Sequence, residues 1–181
     1  MREIKAEDIT RAVSEMCVET NCFLGEDIKN ALKKGAETEK SPLGREILGE
    51  LLKNGDIASE KMMPICQDTG MAVVFADIGQ DARITGGFIG DAINEGVRRG
   101  YRDGFLRKSV VGDPLLRGNT GDNTPAVIHY SIEKGDGLRL FVAPKGFGSE
   151  NMSRIYMLKP SDGIEGVKKA VLDTVKEAGS N

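Results

Sequence analysis

The sequence predicts an α+β fold: N-terminal helices followed by an antiparallel or mixed β-sheet with flanking helices. Three observations predict it. Apolar residues recur at helical spacing through the first third, runs rich in Val, Ile and Phe follow, and the last stretch returns to helical spacing. Helical and strand patterns are segregated rather than alternating, which argues against a doubly wound sheet. At 181 residues the chain can build one medium domain with a real core. No repeat, low-complexity tract or linker interrupts it, so 1–181 reads as a single domain.

The first helix is marked by Ile9, Ala12, Val13, Met16 and Cys17, with Asp8 as its expected N-cap. A shorter one fits Glu26 to Lys34, with Ile28, Ala31 and Leu32 turned inward and Gly35 as the stop. Ser41-Pro42 opens a third, whose stripe is Leu43, Ile47, Leu48, Leu51 and Leu52 and whose expected end is Asn54-Gly55. Met71 to Ile78 reads as a buried strand, and Ile89 to Tyr101 as a helix with Ala92, Ile93, Val97 and Tyr101 on one face. Gly112 to Pro125 is an ordered loop by its Gly, Pro, Asp and Asn clusters. Ala126–Ile132 and Leu138–Val142, separated by Lys134-Gly135-Asp136-Gly137, carry a hairpin signature. Asp162 with Glu165 reads as a capping box for a last helix bearing Ile164, Val167, Val171, Leu172 and Val175.

The charge balance, 25 basic against 28 acidic residues, gives −3 and leaves no basic stripe, so a nucleic-acid partner is not expected. No apolar run reaches the length of a membrane span, and Met1 to Thr10 has no apolar signal-peptide region. A cytoplasmic protein without a membrane association is the expectation. Three cysteines in such a chain argue against a disulfide framework and leave metal binding or catalysis open.

Three segments could carry chemistry. In Pro64-Ile65-Cys66-Gln67-Asp68-Thr69-Gly70 a cysteine lies in a polar loop directly before the expected buried strand. Its thiolate could ligate a metal or attack a substrate; a packed cysteine before a turn is the plainer alternative. Lys145-Gly146-Phe147-Gly148-Ser149-Glu150-Asn151 could form an anion nest or a tight turn after a strand. Arg107, with Gly118-Asn119-Thr120-Gly121-Asp122-Asn123-Thr124-Pro125, would suit a small dicarboxylate, because a guanidinium fork matches a carboxylate in two places. Cys17 and Cys22 lie about 140° apart on a continued helix and match no usual cluster spacing; Cys17 falls on the apolar stripe. His129, the single histidine, sits in a strand and reads as a structural residue.

Taken together, Cys66-Gln67-Asp68-Thr69-Gly70, Gly118 to Ala126 and Lys145 to Ser153 resemble the class I fumarate hydratases and L(+)-tartrate dehydratases, most closely the α subunit of the two-subunit forms. The likeness extends across essentially the whole chain, including Cys17-Val18-Glu19-Thr20-Asn21. It implies a hydro-lyase carrying a [4Fe–4S] cluster on three cysteines, with Cys66 as the first ligand. Gln67, Asp68 and Arg107 would contact the substrate, and Gly148 with Asn151 and Ser153 would belong to the loop that wraps the diacid. The single-chain relatives have Lys where this chain has Met152. The resemblance further implies that the other two cysteine ligands lie beyond Asn181, that a β subunit supplies the remaining site residues in a dimer of α and β components, and that 1–181 is inactive alone. The competing expectation is a non-catalytic subunit that binds an anion or a partner and carries no cluster.

Overall fold

The computed structural model describes residues 2–148 and 150–179, which divide into two compact units, 1–145 and 146–181. The first unit runs β1 (Arg2–Lys5), α1 (Ala6–Cys22), α2 (Glu26–Thr38), α3 (Pro42–Lys61), β2 (Met71–Gly79), β3 (Ala82–Thr85), α4 (Ile89–Asp103), β4 (Val127–Glu133) and β5 (Leu138–Lys145). The second contains a short three-ten helix, Pro160–Asp162, and α5 (Gly163–Ala178). The fold is α+β with a mixed sheet, as the sequence predicts.

Alternation along β2 organises the first unit. Ala72, Val74 and Ala76 are buried, and with Val142 of β5 they meet Ile9, Val13 and Cys17 of α1 and Ile93, Val97 and Tyr101 of α4 in one core. The opposite sheet face carries Phe75, which is paired with His129 on β4 and Phe141 on β5. Helices α1 and α4 approach closely because α4 presents glycine at the seam. A Cβ at Gly100 would lie 2.8 Å from both the Cys17 Cβ and the Ser14 carbonyl oxygen. Thr10 Oγ1 adds a hydrogen bond across the seam to the Ala92 carbonyl, at 2.9 Å.

The sheet overturns the expected hairpin. Strand order is β4-β2-β5, with β4 parallel and β5 antiparallel to β2, so the two runs flanking Lys134–Gly137 never pair with each other. The strand with the most deeply buried face takes the centre, where both of its edges are hydrogen-bonded. The connecting loop straddles the end of β2. Gly79 N–H donates to the Gly137 carbonyl at 2.8 Å, Gln80 N–H to Glu133 at 2.8 Å and Asp81 N–H to Gly135 at 2.9 Å.

Other differences have local causes. The parallel pair β1 and β3 was not expected: each is only four residues long with no extended apolar run, held by pairing with the other, with Ile4 opposite Ile84. Helix α1 is capped at Lys5 without a side-chain bond, and Asp8 instead ion-pairs with Arg11 inside the first turns. Gly35 does not stop α2, nor does Asn54-Gly55 stop α3, which runs on to a left-handed Met62. Glycine within a helix costs only about 1 kcal/mol, which packing overrides. Ser41 does cap α3, its Oγ accepting from Gly44 N–H at 3.3 Å. Ile28 and Ala31 of α2 and Leu43, Ile47 and Leu51 of α3 lie exposed rather than inward. In the second unit Asp162 does take the N-cap position of α5, but without the expected capping box: its carboxylate accepts from Lys159 N–H at 2.7 Å, while Glu165 pairs with Lys168.

Candidate functional site

The segment between α3 and β2 has no regular structure, yet it is fastened at both ends. Ile65 N–H donates to the Asn21 carbonyl at the end of α1 (2.9 Å), and Asn54 Nδ2 of α3 donates to the Ile65 carbonyl (2.9 Å). Downstream, Tyr101 of α4 donates its hydroxyl to the Thr69 carbonyl at 2.6 Å. Between these anchors Cys66 stands exposed. Its Sγ accepts from Asp68 N–H at 3.4 Å, and its S–H donates to Gln67 Oε1 at 3.4 Å. Asp68 Oδ1 accepts from Gly70 N–H at 3.1 Å, which closes a tight turn as the chain enters β2.

The Arg107 segment is tied to this loop. Thr69 is buried, and its Oγ1 donates to the Arg107 carbonyl at 2.9 Å. The preceding Phe105 adopts φ 53° and is 91% exposed, whereas Leu106 is buried, so the chain reverses sharply after α4 and pins itself through one apolar side chain. Arg107 is exposed, and its guanidinium makes no ion pair or hydrogen bond among the described residues.

The Gly118–Pro125 segment is the ordered loop its composition suggests, held by its own side chains. Asn123 is fully buried at φ 64°, a conformation asparagine tolerates better than most residues. Its Oδ1 accepts from Ser109 N–H (2.7 Å) and Val110 N–H (3.1 Å), while its Nδ2 donates to the Gly70 carbonyl (3.1 Å). Asn119 Nδ2 holds the Lys108 carbonyl at 2.9 Å. Asp122 accepts from the Thr124 hydroxyl (2.7 Å), Thr124 N–H (3.0 Å) and Arg98 (2.9 Å), and these donors hold its carboxyl down at about 2, the Thr124 hydroxyl most of all. The segment is a clasp that holds the other two loops. Asparagine before Thr-Pro in a glycine-rich loop was the available signal, but its partner 53 residues away was not readable.

The other cysteines sit in contrasting surroundings. Helix α1 runs unbroken through Cys17 and Cys22, and both are buried. Burial pushes the Cys17 thiol up to about 12 and raises Cys22 as well. His129 stacks on Phe75, ring centroids 4.9 Å apart and planes 17° from parallel, on the outer sheet face. Among the described residues no three His, Cys, Asp or Glu side chains gather to hold a metal ion. Cys66 nevertheless fits one corner of a cluster: it is exposed, soft, and already receives an N–H on sulfur.

Gly148, Asn151 and Ser153 belong to the second unit, where Gly148 and Asn151 are exposed and Asn151 N–H reaches the Gly148 carbonyl at 3.4 Å. Ser149 lies outside the described residues. Glu150 Oε1 accepts from Gly146 N–H at 2.8 Å, folding this loop on itself. No helix among the described residues is long and apolar enough to cross a membrane.

This α+β scaffold, with its exposed cysteine loop clasped to an arginine, has a family. The chain belongs to the fumarate hydratase (fumerase) family, whose model matches residues 10–181. It is 40% identical to a putative L(+)-tartrate dehydratase subunit alpha of Methanocaldococcus jannaschii, over 94% of this chain and 62% of that protein. It is 27% identical to the L(+)-tartrate dehydratase subunit alpha of Escherichia coli strain UTI89, over 96% of this chain and 58% of the other. Against the anaerobic class I fumarate hydratase of Escherichia coli K12 the identity is 33%, over 66% of this chain and 22% of that enzyme. The chain therefore spans less than two thirds of the length of these relatives.

Proposed function

We propose that the protein to which this chain belongs is an iron–sulfur hydro-lyase, adding water reversibly to fumarate or removing it from tartrate. In this proposal residues 1–181 form a single domain, the N-terminal part of the α component. A β component completes the site in a dimer of the two, the location is cytoplasmic, and the chain alone is inactive. The observation that carries the proposal is the Thr69–Arg107 tie, which joins an exposed thiol loop to an arginine whose guanidinium has no partner among the described residues.

Cys66 would hold one iron of a [4Fe–4S] cluster whose other thiolates come from outside this chain. When bound, such a cluster supplies Lewis acidity toward a hydroxyl or water oxygen. The chain's own residues do the rest of their share by binding and orienting. The Arg107 guanidinium grips one substrate carboxylate in two places and, as the proton beside that carboxylate is lost, stabilises the charge that builds on it. Gln67 can donate to and accept from a substrate hydroxyl, and Asp68 accepts from it while its turn keeps the loop in shape. Gly148, Asn151 and Ser153 would be further contacts to the diacid, the glycine allowing close backbone approach.

The test is anaerobic assay of the complete αβ protein, after iron and sulfide loading, with fumarate and with L(+)-tartrate. One of the two should turn over, and aeration should abolish the activity. Arg107→Lys should raise KM about 10- to 100-fold, because the bidentate fork is lost. A loaded protein that turns over neither substrate sinks the proposal. A protein that binds dicarboxylates yet gains no visible absorption on loading would be the non-catalytic subunit instead.

A further inference from the structure

We infer that Asn123 is a positioning residue for substrate binding: its side chain sets where Arg107 stands relative to the Cys66 loop. The inference rests on the proposed function and deepens it. Asn123 is the fully buried polar side chain at the meeting point of three loops, and it uses both ends of its amide. The acceptor end takes the N–H groups of Ser109 and Val110, two and three residues past Arg107. The donor end holds the Gly70 carbonyl, four residues past Cys66. Thr69 bonds the Arg107 carbonyl directly, so the two loops are joined twice, once through each neighbour of the turn into β2.

Two ties do what one cannot. A single hydrogen bond leaves the Arg107 segment free to pivot about it. A second bond, offset along the chain and buried, removes that freedom before any ligand arrives. Such preorganisation matters because a displacement of about 1 Å in a binding group can cost on the order of 100-fold in rate. The alternative role for Asn123, filling the left-handed turn, predicts no link between the two loops, and its glycine replacement separates the possibilities. Glycine accepts φ 64° without strain, so Asn123→Gly removes all three hydrogen bonds while sparing the backbone conformation. Asn123→Asp keeps an acceptor for Ser109 and Val110 but faces the Gly70 carbonyl with an oxygen instead of a donor.

The experiment uses the complete αβ protein. In the loaded form, KM and kcat are measured for the dicarboxylate that turns over. In the chelated form, the alkylation rate of Cys66 by iodoacetamide is measured, located by peptide mass. Both variants should raise KM about tenfold or more with a smaller change in kcat, and both should change the Cys66 alkylation rate at least threefold, with Cys17 and Cys22 remaining unlabelled. An aspartate variant with wild-type KM and wild-type alkylation would overturn the inference, because the Gly70 link would then carry nothing. So would a glycine variant that is wild-type in both. If the aspartate variant does not fold, the glycine variant decides alone. Alkylation needs no turnover, so a wild-type protein inactive on every dicarboxylate defeats the proposed function, whereas unaltered alkylation defeats the positioning role.

Discussion

The α1–α4 seam and the Cys66 loop cluster are built from the same residue types by opposite means. In the seam, Cys17 is buried beside Gly100 in the cluster that holds Val97 and Tyr101, Cys22 is buried at the end of the same helix, and close packing is the main constraint. In the loop cluster, a third cysteine is exposed, and side-chain amides, hydroxyls and a phenol hold its surroundings through hydrogen bonds. The difference shows why a cysteine count says little. A thiol's environment decides whether it can ionise, and burial without a charge partner keeps it neutral.

The largest effect should come from testing that contrast at the sulfur atoms. Cys66→Ser in the complete protein should abolish the visible absorption of the loaded cluster, while Cys17→Ala and Cys22→Ala should keep it. Loss of absorption in either alanine variant would put the ligand assignment in the wrong region. Without loading, a thiol reagent should label Cys66 alone. With its thiol at about 12, Cys17 should be thiolate at roughly one part in ten thousand at pH 8.

The contrast also separates what the sequence discloses from what it conceals. Core elements were legible because periodicity is local: Ile9, Val13 and Cys17, or Ala92, Ile93 and Val97, announce one helix face each. The Cys66 loop was legible as a candidate because a cysteine among polar residues before an apolar run is unusual in a strand-entry loop. The order of the sheet was not, since the Lys134–Gly137 signature fits a hairpin and equally a loop stepping over β2. Nor was the clasp: Asn123 and Gly70 meet only because β2 and α4 bring distant segments together. The stripe of α3 misled for another reason. Helical spacing says that Leu43, Ile47 and Leu51 share a face, and it is silent on what covers that face.

The seam should respond to volume. Gly100→Ala would press a methyl into Cys17 and the Ser14 carbonyl, and backbone cannot yield as a flexible side chain does. A loss of about 1–3 kcal/mol in urea unfolding is expected. The alkylation rate of Cys66 in the folded protein should not change. If it does, the two regions are less separate than their construction implies.

Tyr101 sharpens the comparison because it belongs to both. Its ring is buried in the core, and its hydroxyl reaches the Thr69 and Gly70 carbonyls at 2.6 and 3.4 Å. Tyr101→Phe leaves the ring and removes the donor, so it should cost about 1–2 kcal/mol, nearly all of it from an orphaned buried carbonyl. Cys66 alkylation should quicken while near-ultraviolet circular dichroism of the core remains. An unchanged alkylation rate would mean that Thr69 and Asn123 suffice to hold the loop.

The smallest effect is electrostatic and belongs to the clasp. Asp122 in the folded chain titrates at about 2, below its ordinary carboxylate value, so folding favours its charged form. A depressed folded-state value contributes stability that is complete above the unfolded value near 4 and is lost as pH falls toward 2. The side chain is 29% exposed, and water screens its pairing with Arg98, so about 1 kcal/mol is expected rather than the full shift. Asp122→Asn keeps an oxygen for the Thr124 donors and removes the charge together with the acceptor for Arg98. Its unfolding free energy should therefore fall below that of the wild type at pH 6 and converge with it by about pH 2. Because Asp122 precedes Asn123, its protonation slackens the turn that presents the buried amide, so in the wild type hydrogen exchange at the Ser109 and Val110 amides should quicken over that same acid window before the α1–α4 core unfolds. If core and loop instead give way together at one pH, the clasp has no independent acid response, and the Asp122 contribution is spread through the whole unit.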